Sequence, residues 1–320
     1  MCEENQTEVT EVLFLGFQSL KHFKIPLFIL CLAIYIVILI GNHFIIIIVS
    51  LSHQLRRPMY LFLKNLALAD VLFTSNVLPQ LLYVILEEGG HISITGCKLQ
   101  YYFHSFLAFA QSLLLTVMSF DRYLAICNPL HYAFLMNAKH SLHLANLSWI
   151  FSFILISSEM ILIYQVKFCN MNIIDHFYCD IGPILQLSSS DTFILIWYDF
   201  VIALLVIFFP CLFVIASYVC IIMAILKINT TAGRQKAFST CSSHLTIVCI
   251  YYGTLVAIYM VPSTENSVNE NKFKSLLYTV LTPFLNPIIY SLRSKELLRN
   301  ISDIKLEKCE PNGYEGQYNL

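Results

Sequence analysis

The chain has 320 residues, of which 58% are hydrophobic and 12% are charged, and its formal net charge at pH 7 is −1. Soluble domains are about one quarter charged and about one half apolar or less, so a water-soluble globular protein is excluded and lipid is the expected solvent. The near-zero net charge gives no support to nucleic-acid binding, and no nucleic-acid partner is predicted.

Charged residues divide the chain into seven long apolar segments. Five of them contain no Asp, Glu, Lys or Arg; Lys64 and Asp70 interrupt the second, and Glu159 interrupts the fourth. Roughly 20 residues of helix cross the hydrocarbon, where a lone strand would leave its backbone unpaired. The sequence therefore predicts an all-α membrane protein, a seven-transmembrane helix bundle. The segments are 25–55, 59–86, 99–120, 141–164, 200–226, 237–264 and 275–292.

Basic residues set the predicted orientation. Most of the 19 Lys and Arg fall in loops and a tail that are cytoplasmic if the N-terminus is outside, as the positive-inside rule requires. We expect an extracellular N-terminus (1–25), a seven-transmembrane domain (26–293) and a cytoplasmic tail (294–320) in a multi-pass plasma-membrane protein. A short amphipathic helix should follow the seventh span and contact membrane lipids. The sequon at Asn5 then lies outside, where it can be glycosylated.

The third apolar segment ends in "MSFDRYLAIC" (118–127), which places Asp121 beside Arg122. An arginine at the end of a span can reach water, and an adjacent acid lowers its burial cost further. This pair alone is compatible with an ordinary interfacial arginine. A functional role depends on the motifs in the other spans.

Five motifs in order resemble the class II olfactory receptors, a branch of the rhodopsin-like G-protein-coupled receptors. They are "PMYLFLKNLALAD" (58–70), "MSFDRYLAICNPLHY" (118–132), "SY" (217–218), "KAFSTCSSHL" (236–245) and "PFLNPIIYSLR" (283–293). The sixth span carries "YYGT" (251–254), as olfactory receptors do, in place of a tryptophan-proline signature.

The resemblance implies an odorant receptor that binds small, mostly apolar volatile molecules within the bundle. It would activate a stimulatory olfactory-type G protein and raise cyclic AMP. The alternative is a rhodopsin-like receptor for a non-odorant molecule, expressed outside the olfactory epithelium. In the implied switch, Arg122 is held by Asp121 and is released toward Tyr218 when the sixth span moves. The implied switch residues are Asp121, Arg122, Tyr123, Tyr218, Asn286, Pro287 and Tyr290.

Asp70 is an acid in the middle of a span, which is a functional hypothesis by default. Asn42 and Asn286 could hydrogen-bond it, and the resemblance implies a sodium ion or a water cluster there. Gln111 stands where many relatives carry an acid, so the local negative charge is lower. A purely structural polar network is the alternative to ion binding, and no other cofactor is expected.

The resemblance also implies a disulfide between Cys97 and Cys179, both facing an oxidising compartment. The family usually pairs the position of Cys169 with a cysteine ten residues beyond Cys179, but Ser189 stands there. Cys169 is therefore expected to be unpaired, with Cys2 as the less favoured partner. The stretch "HFYCD" (176–180) could suggest a metal site, but a Cys179 in a disulfide is no longer a thiolate ligand. No metal site is predicted.

The resemblance places a ligand pocket between the third, fifth, sixth and seventh spans. His104, Asp199 and Tyr259 are the predicted polar contacts, and Asp199 could instead face water at the entrance. Neutral His104 suits an alcohol, aldehyde or ketone better than an amine. The predicted pocket residues are His104, Ser105, Ala108, Phe109, Asp199, Ile202, Val206, Tyr252, Thr254, Tyr259 and Thr279.

Four other functions lack the residues that they need. An aminergic receptor needs an acid where His104 stands, and an opsin needs a lysine in the middle of the seventh span. A transporter would show paired broken helices. An enzyme would need a cluster of nucleophile, base or metal ligands, whereas His and acids are scattered here. The chain is not expected to be an enzyme.

Overall fold

The computed structural model describes residues 9–169, 172–259 and 268–293 of the chain. The Asn5 sequon, the side chain of Tyr259 and the predicted amphipathic helix after the seventh span lie outside what is described. Residues 294–320 are also outside it. The proposed domain boundaries therefore stay predictions.

Long helices dominate the described residues. Six helical stretches are long and apolar enough to cross a membrane, and a further helix packs into the same bundle against the first, second and sixth spans. The predicted seven-helix bundle is confirmed. The spanning helices are α1 (Lys24–Leu51), α2 (Pro58–Leu86), α3 (Ile94–Cys127), α5 (Ala138–Gln165), α7 with α8 (Phe193–Ala203 and Phe209–Leu226), α9 (Thr231–Tyr259) and α10 (Val268–Arg293).

Two shorter α-helices lie between the spanning helices in the described part of the chain. Helix α4 (Pro129–Leu135) follows α3 directly, and α6 (Ile181–Leu187) lies in the long loop between α5 and α7.

The outward faces of the spans are apolar, as the exposed side chains of Ile29, Ile40 and Ile47 on α1 illustrate. Such a face can be solvated by lipid but not by water.

Two prolines leave helix carbonyls without their usual N–H partner, because proline has no N–H to donate four residues on. Pro210 frees the carbonyl of Val206, next to a π-helical turn at Leu204–Phe208 that separates α7 from α8. The Ser112 hydroxyl donates to this carbonyl at 2.6 Å. Pro287 likewise frees the carbonyl of Pro283, to which the Asn42 amide donates at 3.0 Å. Polar side chains of neighbouring helices thus satisfy both breaks.

Helix α1 lies very close to α10 at Gly41. A Cβ atom there would lie 2.8 Å from Cγ of Pro287, which is closer than side-chain carbons approach one another. Glycine at this position therefore permits the contact, and the same contact brings Asn42 to its carbonyl on α10.

A small sheet covers one end of the bundle. Strand β1 (Glu11–Phe14) pairs antiparallel with β2 (Gly90–Ser93) and parallel with β3 (Ile173–Ile174), so the strand order is β2-β1-β3. The end of the bundle that carries the sheet also carries Cys97, and we call it the Cys97 end. The opposite end carries Arg122, about 38 Å away along α3 at 1.5 Å per residue, and we call it the Arg122 end.

Candidate functional site

At the Arg122 end, Asp121 accepts hydrogen bonds from two neighbours. The Arg122 guanidinium contacts one carboxylate oxygen, and the Tyr132 hydroxyl donates to the other at 2.8 Å. The Asp121 side chain is fully buried, and that of Arg122 is 13% exposed. We call these three residues the Arg122 cluster. The motif predicted its first two members, while Tyr132 comes from α4, which a reading of the spans alone did not include.

Tyr218 takes a different partner from the one that the switch hypothesis gives it in the active state. Its hydroxyl lies 2.7 Å from Nδ1 of His244 on α9, and the other ring nitrogen of His244 lies 3.2 Å from the carbonyl oxygen of Leu115 on α3. This chain of contacts joins α8, α9 and α3 near the Arg122 end. His244 was present in the quoted "KAFSTCSSHL" motif but was not predicted as a site residue.

Tyr290 is the second tyrosine of the predicted switch. Its hydroxyl is buried and has no hydrogen-bond partner among the described residues. A buried hydroxyl without a partner costs about 1–3 kcal/mol. Tyr290 therefore carries a free donor that a rearrangement of the helix ends could satisfy.

Between the two ends, Asp70 holds α2, α3 and α10 together. Gln111 donates to one carboxylate oxygen at 2.9 Å and Asn286 donates to the other at 2.6 Å. Asn42 does not join them, because its amide nitrogen donates instead to the carbonyls of Ile38 and Pro283. The expectation that Asn42 could bond to Asp70 is corrected for this reason. The amide oxygen of Asn286 stays unpartnered among the described residues.

Toward the Cys97 end, His104 lies in a pocket of aromatic rings. The ring centroids of Phe73 and Tyr178 each lie 4.8 Å from that of His104, and Tyr278 lies at 6.1 Å. Tyr251 in turn lies 6.2 Å from Tyr278. We call these five residues the aromatic cluster. Only His104 among them was predicted from the sequence, because Phe73, Tyr251 and Tyr278 look like ordinary helix-spaced core aromatics.

His104 is the one polar side chain of this group without a hydrogen bond. It is 2% exposed, and neither ring nitrogen has a partner among the described residues. The Tyr251 hydroxyl, by contrast, donates to the Ala108 carbonyl at 2.6 Å. An imidazole that is buried with two unsatisfied nitrogens is suited to a ligand that carries a hydroxyl or a carbonyl.

The other predicted pocket residues divide into two groups. Ser105, Ala108, Ile202 and Val206 are buried, and Phe109 is partly buried against the core. The polar remainder is already engaged: the Tyr252 hydroxyl lies 3.1 Å from that of Ser112, and Thr254 and Thr279 donate to carbonyls of their own helices. These two threonines can still accept a hydrogen bond from a ligand, but they must give up their helix carbonyls before they can donate one.

Asp199 lies on α7 beside a second acid, Glu159 on α5. Glu159 is fully buried, and it accepts a hydrogen bond from the Tyr101 hydroxyl at 2.8 Å. The sequence indicated Glu159 only as a break in the fourth apolar segment. The structure thus places Asp199 among polar groups of α3 and α5, and it is partly buried.

The sheet-covered end is fastened by a disulfide and a buried lysine. Cys97 and Cys179 form the predicted disulfide. Lys272 on α10 is 2% exposed; it donates to the Gly16 carbonyl at 2.7 Å and pairs with Asp175. Burial and, to a smaller extent, the Lys272 ammonium lower the pKa of the neighbouring His176 to about 3. The imidazole is therefore neutral at physiological pH.

One cysteine prediction is wrong. Cys169 was expected to be unpaired because Ser189 replaces its usual partner, yet Cys169 is disulfide-bonded. The other half of this bond lies outside the described residues. Ser189 instead forms two hydrogen bonds with the backbone of Cys169, at 3.1 Å each.

Comparison with known proteins identifies the family. The family model described as "Olfactory receptor" matches residues 30–308. The chain is 43% identical over 297 residues to olfactory receptor 1S1 of Homo sapiens, covering 93% of this chain and 91% of that one. It is 40% identical over 313 residues to olfactory receptor 1468 of Rattus norvegicus, covering 97% and 100%. With olfactory receptor 5G29 of Mus musculus the identity is 44% over 297 residues, covering 93% and 95%. The chain belongs to the olfactory receptor family.

Proposed function

We propose that this chain binds a small volatile odorant within the bundle near its Cys97 end and activates a stimulatory, olfactory-type G protein at its Arg122 end. The receptor spans the plasma membrane with its N-terminus outside. Family membership over most of the chain supports this function. Neither the structure nor the relatives favour the alternative of a non-odorant ligand.

The observation that carries the proposal is the state of His104. A buried polar side chain normally has a partner, and leaving it without one costs about 1–3 kcal/mol. A ligand that bonds His104 recovers this cost, and the rings of Phe73, Tyr178 and Tyr278 offer it apolar surface. Small apolar molecules with one hydrogen-bonding group fit these needs, and they are the chemical class to which volatile odorants belong.

Helix α4 supplies a surface for the G protein beside the Arg122 cluster. Leu130 is 93% exposed and Phe134 is 77% exposed, although both are large apolar side chains. They lie on the same short helix as Tyr132, whose hydroxyl bonds Asp121. Exposed apolar side chains next to a buried ionic cluster are suited to a partner whose binding depends on the conformation of that cluster.

Activation then requires an exchange of partners at the Arg122 end. In this structure Arg122 pairs with Asp121 and Tyr218 pairs with His244, which corresponds to the held state of the switch. Ligand binding favours a state in which α9 moves away and frees the Tyr218 hydroxyl to meet Arg122 and Tyr290. The ligand can shift this equilibrium only by its preference for one of the two states.

We also propose that a sodium ion binds at Asp70. The residues fit a cation, because the Asp70 carboxylate and the unpartnered amide oxygen of Asn286 are oxygen ligands in one place. Gln111 occupies one carboxylate oxygen with a neutral donor. We therefore expect weaker sodium binding than in relatives that carry an acid at that position.

The test is a screen of odorants against cells that express the chain, with cyclic AMP as the readout. Wild-type receptor should respond to at least one odorant, and Arg122→Ala should lose that response while its surface expression stays measurable. Tyr83→Phe, on the half-exposed side of α2 near the Cys97 end, should respond as wild type does. A full response from well-expressed Arg122→Ala would refute the proposed switch.

A further inference from the structure

Cys169 has a covalent partner that the family pattern does not supply. It is one half of a disulfide, whereas position 189 holds a serine whose hydroxyl bonds the Cys169 backbone. Serine cannot form a disulfide. The loop between α5 and α7 therefore lacks the means to close its own bond, and the partner must come from elsewhere in the chain.

Counting the cysteines leaves two candidates. The chain has 11, of which Cys97 and Cys179 are bonded to each other. Six others are free thiols in the described residues, namely Cys31, Cys127, Cys211, Cys220, Cys241 and Cys249. Besides Cys169 itself, only Cys2 and Cys309 remain, and both lie outside the described residues.

The position of Cys309 in the chain excludes it. It follows α10, whose last turns carry Tyr290 close to Arg122, whereas Cys169 packs at the Cys97 end, where Phe168 belongs to the same core as Cys97. Between Arg293 and Cys309 the sequence is "SKELLRNISDIKLEK". Carrying so many charged side chains across the hydrocarbon would cost several kcal/mol for each of them.

The position of the N-terminal segment favours Cys2. The backbone N–H of Val9 donates to the carbonyl of Phe168 at 3.1 Å, so the chain at residue 9 runs directly beside residue 169. Residues 2 and 9 are joined by seven peptide units, which span at most about 24 Å when fully extended. Cα atoms in a disulfide lie about 4.4–6.8 Å apart. The segment is several times longer than this connection needs.

We propose that Cys2 and Cys169 form a disulfide that fastens the N-terminal segment to the loop after α5, in place of the bond within that loop that Ser189 excludes. The two thiols lose two protons and two electrons as the S–S bond forms, and a disulfide-bearing protein oxidant of the secretory lumen accepts them and becomes a dithiol. The proposal rests on the extracellular N-terminus of the proposed function, since thiols on the cytoplasmic side stay reduced.

The bond has a structural consequence for the end of the bundle that receives the ligand. Strand β1 lies between β2 and β3, and the chain just after it accepts the Lys272 hydrogen bond at Gly16. A disulfide on one side of β1 and the Lys272 contact on the other hold this strand at both of its ends. The Asn5 sequon falls between Cys2 and β1.

The experiment maps disulfides by mass spectrometry in the full-length chain from mammalian cells. The protein is solubilised in detergent in the presence of N-ethylmaleimide, which alkylates free thiols. After removal of N-glycans, chymotrypsin cleaves after Phe168, Phe177 and Tyr178, which puts Cys169 and Cys179 on different peptides. A peptide pair that joins Cys2 to Cys169 and disappears on reduction is the expected result. The pair that joins Cys97 to Cys179 is the internal control.

Two variants sharpen the test. Cys2→Ser should leave Cys169 alkylated, at nearly full occupancy, with the Cys97–Cys179 pair intact. Adding Ser189→Cys to Cys2→Ser should return Cys169 to a disulfide, now within its own loop. An alkylated Cys169 in the wild-type chain, or a bond to Cys309 or to a second chain, overturns the proposal. Alkylation of Cys97 and Cys179 as well would instead overturn the orientation on which the proposed function rests.

Discussion

Replacing Tyr132 with phenylalanine should raise the basal activity of the receptor. The Tyr132 hydroxyl donates to Asp121 at 2.8 Å, and the Asp121 side chain is fully buried, so water does not replace a lost donor. Burial and the Asp121 carboxylate raise the pKa of Tyr132, so the hydroxyl keeps its proton throughout the physiological range. The bond thus has a neutral donor, and the Asp121 carboxylate that accepts it is paired with Arg122.

The expected size follows from the type of bond. Hydrogen bonds to charged groups contribute about 1.5–3 kcal/mol, and each 1.4 kcal/mol is about a factor of ten in an equilibrium constant. If the bond exists only in the held state, Tyr132→Phe shifts the equilibrium toward the active state by about tenfold to about a hundredfold. A receptor that is mostly inactive should then show a clear rise in cyclic AMP without odorant.

The assay is basal cyclic AMP in transfected cells, normalised to receptor at the cell surface. Tyr83→Phe is the matched control, because it also removes one tyrosine hydroxyl but at the Cys97 end, on a side chain that is 47% exposed. Basal activity of Tyr132→Phe that equals both wild type and the control, at equal surface expression, would refute the role of this bond in holding the inactive state.

Three further predictions address the core and the sheet-covered end. Gln111→Glu adds a carboxylate beside Asp70 and should make the agonist response more sensitive to sodium; an unchanged sodium dependence would leave the polar cluster structural only. Ser112→Ala leaves the Val206 carbonyl without a hydrogen-bond donor and should lower the free energy of unfolding by about 1–3 kcal/mol. The measurement is thermal stability, and the control is Ser112→Thr, which keeps the hydroxyl. Because His176 has its pKa lowered from 6.5 to about 3, the folded state binds fewer protons than the unfolded state between these values, so stability should fall as pH drops below about 6.5. His176→Gln should flatten that fall, and an equal pH dependence in both proteins would argue against the assignment.

The helices could be predicted from the sequence because lipid demands long uncharged segments. Every predicted segment lies at least in part on a spanning helix, but the bounds depend on individual charges. Helix α10 begins at Val268, although the seventh charge-free segment begins at residue 275. The lysine at 272 is tolerated inside the helix because the Gly16 carbonyl and Asp175 bind its ammonium group. Such partners are distant in sequence, and no local pattern predicts them.

The sheet was not predicted, and a disulfide at Cys169 was only the less favoured alternative, because the partner segments are distant in sequence. Strand β1 has four residues and pairs with segments near 90 and 173. Its alternation of polar and apolar residues is too short to predict a strand. The pairing of Cys169 was predicted from the family pattern at position 189. No sequence pattern indicates that the chain at Val9 runs beside Phe168. At the Arg122 end the motif predicted Asp121 and Arg122, because residues adjacent in the chain are also adjacent in space. Tyr132 contacts Asp121 because the chain turns between α3 and α4, and the motif alone does not predict that turn.

The ligand pocket gives a prediction in which stability and potency change in opposite directions. His104→Phe keeps an aromatic ring against Phe73 and Tyr178 while it removes two ring nitrogens that have no partner among the described residues. Burying an unpartnered polar group is costly, and an apolar group of similar shape avoids that cost. The unliganded variant should therefore be at least as stable to heat as the wild type.

Potency should move the other way if the ligand bonds His104. Losing one neutral hydrogen bond costs about 0.5–1.5 kcal/mol, which is roughly a twofold to tenfold rise in the odorant concentration for half-maximal response. His143→Phe is the matched control, because it makes the same substitution on an exposed face of α5 and should change neither quantity. Asp199→Asn and Tyr259→Phe test the other two predicted polar contacts with the same agonist. If all three pocket variants keep wild-type potency while apolar changes at Ala108 or Val206 lower it, the receptor recognises its odorant by shape, and the free nitrogens of His104 have no part in binding.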